Sequence, residues 1–278
     1  MPELPEVETI RRQLNRLIVD KKIKSVKVRL PKIVKAPLPA FRRALVGAKI
    51  KTVARRAKIF AITLDNGWSM LIHLKLTGQM VYQKIGSKEQ KTSDKYTHVI
   101  FRFSDGSRLL FNDLRQFGYI KLIKTRDLDN YFLREKFGPE PLDKKFTPVS
   151  FKAILRRRPK AKIKSWLMDQ KNIAGIGNIY SDEILFAAKV HPLRRVETLS
   201  LPEVKNIFGA IKKILLRAIK YRGTSAENYL DAFGQKGKFL PKLAVYGKEG
   251  QKCVKCKHQI VRIKINSRSA HFCPNCQI

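Results

Sequence analysis

The spacing of apolar residues divides the chain into stretches of different period. Val7, Ile10, Leu14, Leu17 and Ile18 recur at helical intervals and predict a helix over 5–19. Beyond it the period shortens to two, and residues 25–30, 49–54, 59–64, 68–74, 99–103, 108–111 and 119–123 read as strands. Asp65-Asn66-Gly67 and Ser104-Asp105-Gly106-Ser107 fall between strand pairs as hairpin turns. Short strands joined this way make an antiparallel sandwich or barrel. The pattern changes at Gly138-Pro139-Glu140-Pro141, a linker by composition. Helical periods follow over 149–157, 163–170, 181–189 and 200–222; the last opens on a capping box, Ser200-Leu201-Pro202-Glu203, and stops at Gly223. Residues 224–240 are polar, contain Gly234 and Gly237, and read as a long loop, a feature that is often functional in a compact domain. A final alternating run, 259–265, leads into Ser267-Arg268-Ser269, read as the turn of a two-stranded ribbon with Arg268 at its tip. There is no internal repeat.

Composition narrows the class. A chain of 278 residues suggests two domains, each with a modest core. Lys and Arg number 59 against 22 acids, a formal charge of +37, which calls for a polyanionic partner, usually nucleic acid. With 44% hydrophobic residues the chain is not disordered. No apolar run nears the roughly 18 residues of a membrane span, and no signal-peptide pattern opens the chain. A cytoplasmic, reducing compartment is expected, where cysteines serve better as metal ligands than in disulfides. Their spacing, Cys253-x2-Cys256-x16-Cys273-x2-Cys276, is that of a zinc ribbon. Four thiolates close a tetrahedral site, so one structural zinc is expected. His258 and His271 are the other residues able to ligate there, and the four cysteines take precedence.

Two further segments carry chemistry. Loss of Met1 makes Pro2 a terminal secondary amine, partly unprotonated at neutral pH and able to attack a carbon centre. Glu3 and Glu6 stand beside it at a spacing that puts both carboxylates on one face of a helix start. Taken alone, Pro and Glu are also ordinary helix openers. The second segment is the basic run from Arg156 through Arg158 to Lys164, followed by Gly175-Ile176-Gly177-Asn178. Glycines that admit a close backbone approach, then a helix N-terminus, suit a phosphate and give a helix–turn–helix shape.

These residues resemble the Fpg/Nei family of DNA glycosylases, on its Fpg branch. Four segments carry the resemblance in the family's order: Pro2-Glu3-Leu4-Pro5-Glu6-Val7-Glu8; Arg55-Arg56-Ala57-Lys58; Asp169-Gln170 through Gly175-Ile176-Gly177-Asn178-Ile179-Tyr180; and the zinc ribbon with Arg268 and His271-Phe272-Cys273-Pro274. The resemblance implies a multidomain α+β enzyme: an antiparallel β-sandwich with an N-terminal helix (1–137), a helix-two-turns-helix domain (138–223), a lesion-covering loop (224–242) and a zinc finger (243–278), with DNA gripped between the lobes. It implies a monomer that acts on double-stranded DNA carrying oxidised purines or abasic sites, removes 8-oxoguanine and formamidopyrimidines, and cuts the strand by β,δ-elimination. Localisation would be cytoplasmic, with the nucleoid.

Carried over by position, Pro2 is the nucleophile, Glu3 the acid/base, Glu6 its support, and Lys58 a contact to the backbone beside the lesion that helps cleavage. Asn178 and Arg268 bind phosphates around the flipped nucleotide, Arg268 also serving the second elimination. Arg158 belongs to the DNA-binding run, Lys164 to lesion handling, and His73 to a phosphate contact. Leu76, Arg115 and Phe117 fill the gap left by the flipped base, a device open to apolar wedges. In the plainer reading Leu76 and Phe117 are core residues and Arg115 belongs to a surface turn.

Three positions depart from the family pattern: Leu76 where Met is usual, Arg222 where a second Gly before Gly223 is frequent, and Tyr96 where many members have His. They bear on lesion preference and on the hinge of the covering loop. Leu4, where the Nei branch has Gly, and the long polar loop argue against the oxidised-pyrimidine alternative. Intact Pro2, Glu3 and Lys58 argue against a non-catalytic DNA-binding paralogue. An RNA-binding ribbon protein would leave the N-terminal constellation unexplained.

Overall fold

The computed structural model describes residues 1–86 and 94–278. Contacts divide the chain into two compact units, Met1–Glu135 with Tyr221–Leu240, and Lys136–Lys220 with Pro241–Ile278. The polar segment after the longest helix therefore belongs to the first unit.

The first unit opens with α1 (Leu4–Ile18) and continues through β1 (Ile23–Val28), β2 (Val34–Lys35), α2 (Leu38–Leu45), β3 (Ile50–Arg56), β4 (Ile59–Leu64), β5 (Trp68–His73), β6 (Gly78–Gln83), β7 (Thr97–Phe103), β8 (Arg108–Asp113), β9 (Tyr119–Lys124) and α3 (Leu128–Arg134). Two sheets result, in the orders β1-β7-β8-β6 and β2-β9-β5-β4-β3. All pairings are antiparallel except β2 with β9. One core takes Val7, Ile10 and Leu14 from α1, Phe41 from α2, and inward residues of both sheets, among them Phe60, Met70, Phe101 and Phe111. The N-terminal helix is thus as the periodicity predicts, and of the sandwich and the barrel that it allows the chain forms the sandwich, as the resemblance implies.

The chain pattern does not signal α2, β2, β6 or α3. Prolines crowd the start of α2. β2 has only two residues, and β6 opens on a glycine, a weak strand former.

The second unit holds α4 (Pro148–Leu155), α5 (Ile163–Met168), α6 (Asn178–Ala188), α7 (Leu201–Lys220) and the ribbon β10 (Val261–Ile265) with β11 (Arg268–Phe272). Aromatic edges fill its helical core: Phe151 meets Trp166 at 5.7 Å and Phe146 at 5.8 Å between ring centroids. The capping box of α7 forms as its sequence predicts, Ser200 N–H donating to Glu203 Oε2 at 2.7 Å and Glu203 N–H to Ser200 Oγ at 3.4 Å.

At the ribbon the structure corrects the expected turn. The turn is Asn266-Ser267, and Arg268 is the first residue of β11, paired with Ile265. A two-residue hairpin needs positive φ, which Asn supplies at +53° for Asn266. Arg268 still stands exposed at the tip end.

Gly209 sits in the middle of α7, and a Cβ there would meet nothing within 4 Å. Gly209→Ala should raise stability by about 0.5–1 kcal/mol, since it removes chain entropy from the unfolded state at no steric cost. A shift of the chemical-denaturation midpoint upward checks this; a lower midpoint contradicts it.

Candidate active site and nucleic-acid interface

The N-terminal turn of α1 is organised by Glu6. Its Oε2 accepts the Glu3 N–H at 2.8 Å and its Oε1 the Thr224 N–H at 2.7 Å. Glu3 is 2% exposed and Glu6 1%. A carboxylate in the first helical turn suits both the free N–H groups and the helix dipole. The same contact fixes Gly223: at φ +80° its Cα lies against the carboxylate, and a Cβ would stand 2.7 Å from Glu6 Oε1. Pro2, Glu3 and Glu6 are thereby brought together with the root of segment 221–240.

Lys58 reaches the same unit by another route. It occupies the two-residue turn between β3 and β4 and is buried, 6% exposed. Ala57 before it takes φ +53°, a left-handed backbone costly for a residue with a Cβ. Arg55 braces that turn, with Nη1 donating to Ala57 O at 2.8 Å and Nε to Glu8 Oε2 at 3.2 Å. Burial opposes the ionised form of Glu8, but hydrogen bonds from Arg11 and Arg12 and the charge of Arg55 prevail and hold its carboxyl below the usual range. Glu8 thus ties the helix that carries Glu3 and Glu6 to the turn that carries Lys58.

His73 ends β5, opposite Ile59 in the register, so it lies at the Lys58 end of the sheet. Its Nδ1 accepts the Lys75 N–H at 2.8 Å. An occupied acceptor at Nδ1 leaves the proton on Nε2. Burial first, then the charges of Lys75 and Lys58, push the imidazole down to about 3. His73 is therefore a neutral hydrogen-bond donor.

Leu76, Arg115 and Phe117 are also brought together, by a residue whose part the chain pattern does not reveal. Asp113, 1% exposed, accepts the Gly118 N–H at 2.7 Å and, through its other oxygen, the Thr77 hydroxyl at 2.5 Å, and Arg115 N–H donates to Thr77 Oγ1 at 2.9 Å. One carboxylate knits the turn holding Leu76 to the loop holding the other two. Leu76 is half-buried in that turn rather than in a strand, and Phe117 is 54% exposed with the Arg115 guanidinium 5.1 Å from its ring centroid. Core packing accounts for neither Leu76 nor Phe117. Tyr96 lies at the surface, 36% exposed.

In the second unit, Gln170 braces the glycine turn: its Nε2 donates to Ile176 O at 2.7 Å and its Oε1 accepts the Gly175 N–H at 2.8 Å. Asn178 then opens α6, its Oδ1 without a hydrogen-bond partner among the described residues. Helix N-terminal amides there are suited to an anion. Arg158 is exposed and pairs with Asp169 at 2.5 Å. Lys164 lies inside, 1% exposed, its Nζ donating to Asp182 Oδ1 at 2.6 Å and to Ser269 O at 2.6 Å. Asp182 Oδ2 accepts the His271 N–H at 2.9 Å. Lys164 thus holds the backbone next to Arg268. A cleft of about 210 Å³ opens beside Lys164, Asp169, Asn266 and Arg268.

Asp182 and its neighbour Glu183 also escape notice in the sequence, although two adjacent acids in an otherwise apolar helix are a visible signal. Glu183 accepts the N–H groups of Ala244, Val245 and Tyr246 at 2.8–3.0 Å.

The four cysteines carry no disulfide, and their Sγ atoms all lie within 4.8 Å of one another. Two of the separations are 3.9 and 3.3 Å. Tetrahedral zinc at about 2.3 Å from each sulfur needs edges of about 3.8 Å, so the cluster fits the metal. Cys253 and Cys273 are buried and the other two partly so. With four thiolate ligands the zinc is structural: it closes the ribbon and leaves no position open for substrate.

Comparison with known proteins agrees throughout the chain. Residues 1–120 match the formamidopyrimidine-DNA glycosylase N-terminal domain, 137–229 the formamidopyrimidine-DNA glycosylase H2TH domain, and 250–278 the zinc finger found in FPG and IleRS. Formamidopyrimidine-DNA glycosylase of Carboxydothermus hydrogenoformans is 45% identical over 278 residues, covering 100% of both chains. That of Pelotomaculum thermopropionicum is 42% identical, covering 100% of this chain and 99% of its own. Among solved structures, Lactococcus lactis Fpg in complex with abasic-site DNA superposes with a TM-score of 0.90 at 36% identity, over 99% of each chain. A MutM complex with DNA containing carbocyclic 8-oxo-G does so with the same score, identity and coverage. The chain belongs to the formamidopyrimidine-DNA glycosylase family.

Proposed function

We propose that this protein is a DNA repair glycosylase that excises oxidised purines through Pro2 and then cleaves the abasic strand. The observation that carries the reading is the Glu6 carboxylate, which holds the Glu3 amide beside Pro2 and the Thr224 amide of the long polar segment together. Nucleophile, acid/base and covering loop are thereby joined in one unit. The relatives support the substrate class: one solved neighbour holds abasic-site DNA, another Fapy-dG-containing DNA, and a third 8-oxo-G-containing DNA. Among the described residues no helix is long and apolar enough to cross a membrane, and the +37 charge suits binding to DNA, and so to the nucleoid.

The reaction follows from the side chains. A base within a duplex is out of reach, so the nucleotide leaves the stack at a cost of a few kcal/mol. Leu76, Arg115 and Phe117 fill the gap, held in place by Asp113. With Met1 removed, the neutral Pro2 nitrogen forms a bond to C1′ as the bond from C1′ to the base breaks, and the proton that nitrogen gives up leaves with the base. Glu3 delivers a proton to O4′ as the sugar opens, and Pro2 and C1′ become an iminium. The iminium acidifies C2′–H; loss of that proton expels the 3′ phosphate, and a second elimination expels the 5′ phosphate. Water then hydrolyses the iminium and regenerates the amine. Lys58, His73, Asn178, Arg158 and Arg268 are the phosphate contacts, His73 as a neutral Nε2–H donor. Lys164 acts through the ribbon backbone it holds. Zinc supplies the closed ribbon that presents Arg268.

Borohydride trapping on a duplex with 8-oxoguanine opposite cytosine should give an adduct that maps to Pro2. Pro2→Gly should lose most turnover while DNA binding survives; full activity in that variant sinks the nucleophile assignment, and trapping only on an oxidised-pyrimidine duplex moves the substrate class. His73 should show an Nε2–H, neutral imidazole by nitrogen NMR from pH 8 down to pH 5, because its proton is gained only near 3. DNA affinity that rises through pH 6.5 in the parent and not in His73→Gln would contradict this. Native mass spectrometry should find one zinc per chain, and Cys256→Ser should release it and loosen the ribbon; retention of stoichiometric zinc in that variant counts against the four-thiolate site.

A further inference from the structure

Segment 224–237 is a folded strap with its own frame. Its two limbs are zipped at the base, Lys238 N–H donating to Tyr221 O at 2.8 Å and Phe239 N–H to Gly223 O at 3.0 Å. Gly237 approaches the Arg222 and Gly223 carbonyls too closely for any side chain. Within the strap, Ser225 Oγ donates to Tyr229 O at 2.7 Å and accepts the Gly237 N–H at 2.9 Å.

The hub is Asp231, fully buried. Its Oδ1 accepts the N–H groups of Phe233 at 3.0 Å and Gln235 at 2.9 Å, which shapes the strap's turn. Its Oδ2 faces outward from that turn and accepts Gln13 Nε2 of α1 at 3.0 Å and Arg222 Nη1 at 2.7 Å. Gln13 Oε1 takes the Ala232 N–H at 2.9 Å, and Arg222 Nη1 also reaches Gln235 Oε1 at 2.7 Å. Tyr229 and Ala232 enter the core of the first unit, and Tyr82 N–H donates to Ala232 O at 2.8 Å. Ala226, Glu227 and Asn228 stand exposed between these anchors.

Arg222 is the informative residue. It takes φ +61°, a left-handed backbone that glycine adopts more easily. An arginine there gives up backbone ease, and what it offers in return is the guanidinium on Asp231. We propose that Arg222 and Asp231 are positioning residues that hold the strap ordered over the Glu3–Glu6 site before substrate arrives, and so favour damaged nucleotides that still carry a base over baseless ones. The proposal rests on the reading of the site as an oxidised-purine glycosylase. A strap that had to order itself at each encounter would lower apparent affinity by the fraction of time it is closed. An abasic sugar offers no base for the strap to cover, so its processing does not depend on that fraction.

Arg222→Gly tests this directly, because glycine suits the backbone and only the guanidinium is lost. In the full chain, catalytic efficiency on an 8-oxoguanine duplex should fall by about tenfold or more, mainly through apparent affinity, while cleavage of an abasic-site duplex stays within about twofold. Arg222→Lys should restore part of the loss. Asp231→Asn, which keeps an oxygen for the strap's own turn but places an amide against Gln13 and Arg222, should behave like Arg222→Gly. Amide exchange at Ala232 should quicken in both deficient variants. Equal loss on the two substrates, or no loss on either, overturns the proposal, as does unchanged exchange at Ala232. If the parent acts on neither duplex, the glycosylase reading fails instead, and the exchange rates still decide whether Arg222 closes the strap.

Discussion

Two hydrogen bonds to one buried carboxylate set the geometry of the candidate site in the first unit. One oxygen of Glu6 accepts the N–H of Thr224, 218 positions away in sequence, while its other oxygen holds Glu3. Charge-assisted bonds to N–H groups are shorter and stronger than neutral ones, and the start of a helix favours the negative charge. The constraint then spreads outward. Glu3 and Pro2 have one orientation because their turn is closed. Gly223 has no Cβ because the carboxylate occupies that space. The strap beyond it starts from a fixed root, so its own frame, centred on Asp231, docks in one register against α1.

The second unit applies the same logic to its ribbon. Zinc closes the ribbon locally but says nothing about how it sits on the helices. Asp182 and Glu183 do that, one through Lys164 and the His271 amide, the other through three successive amides at 244–246. Burial raises the Glu183 carboxyl even though those amides oppose the shift, so the clamp is held against a real desolvation cost. The Lys164–Asp182 pair is almost fully enclosed, and losing one partner of such a pair typically costs about 3–5 kcal/mol because the other is left buried and unpaired. The same lysine holds the carbonyl of Ser269, the residue after Arg268, so its direct contact is with the ribbon backbone.

What the sequence made legible was whatever repeats or clusters locally. The strands at 59–64 and 68–74, the capping box at Ser200, the cysteine spacing and the Pro2–Glu6 turn are each readable within a window of a few residues, and the structure has each element in its place. What stayed hidden depends on partners far away in the chain. Asp113 looks like the end of a strand until Thr77 and Gly118 close on it. Asp231 and Gln13 look like ordinary polar residues of a loop and a helix face, yet each satisfies the other across the strap. At the ribbon, polarity points to Ser-Arg-Ser, whereas the property that decides a two-residue turn is tolerance of positive φ, which Asn266 has.

The same distant contacts explain where the charge goes. Among the described residues seven acidic side chains are buried (Glu3, Glu6, Glu8, Asp113, Asp182, Glu183 and Asp231) against two basic ones, Lys58 and Lys164. Loops and helix starts leave backbone N–H groups in need of acceptors, and a carboxylate can take several at once, whereas a lysine has only donors to give. Acids are thus drawn inward to organise turns, and bases remain outside. The exposed charge is consequently still more one-sidedly basic than the composition, while the long-range field toward a phosphate backbone remains that of the whole +37. Internal order and attraction to DNA come from one partition of charge, so a substitution that neutralises a buried acid disturbs the turn it holds and leaves the long-range attraction intact.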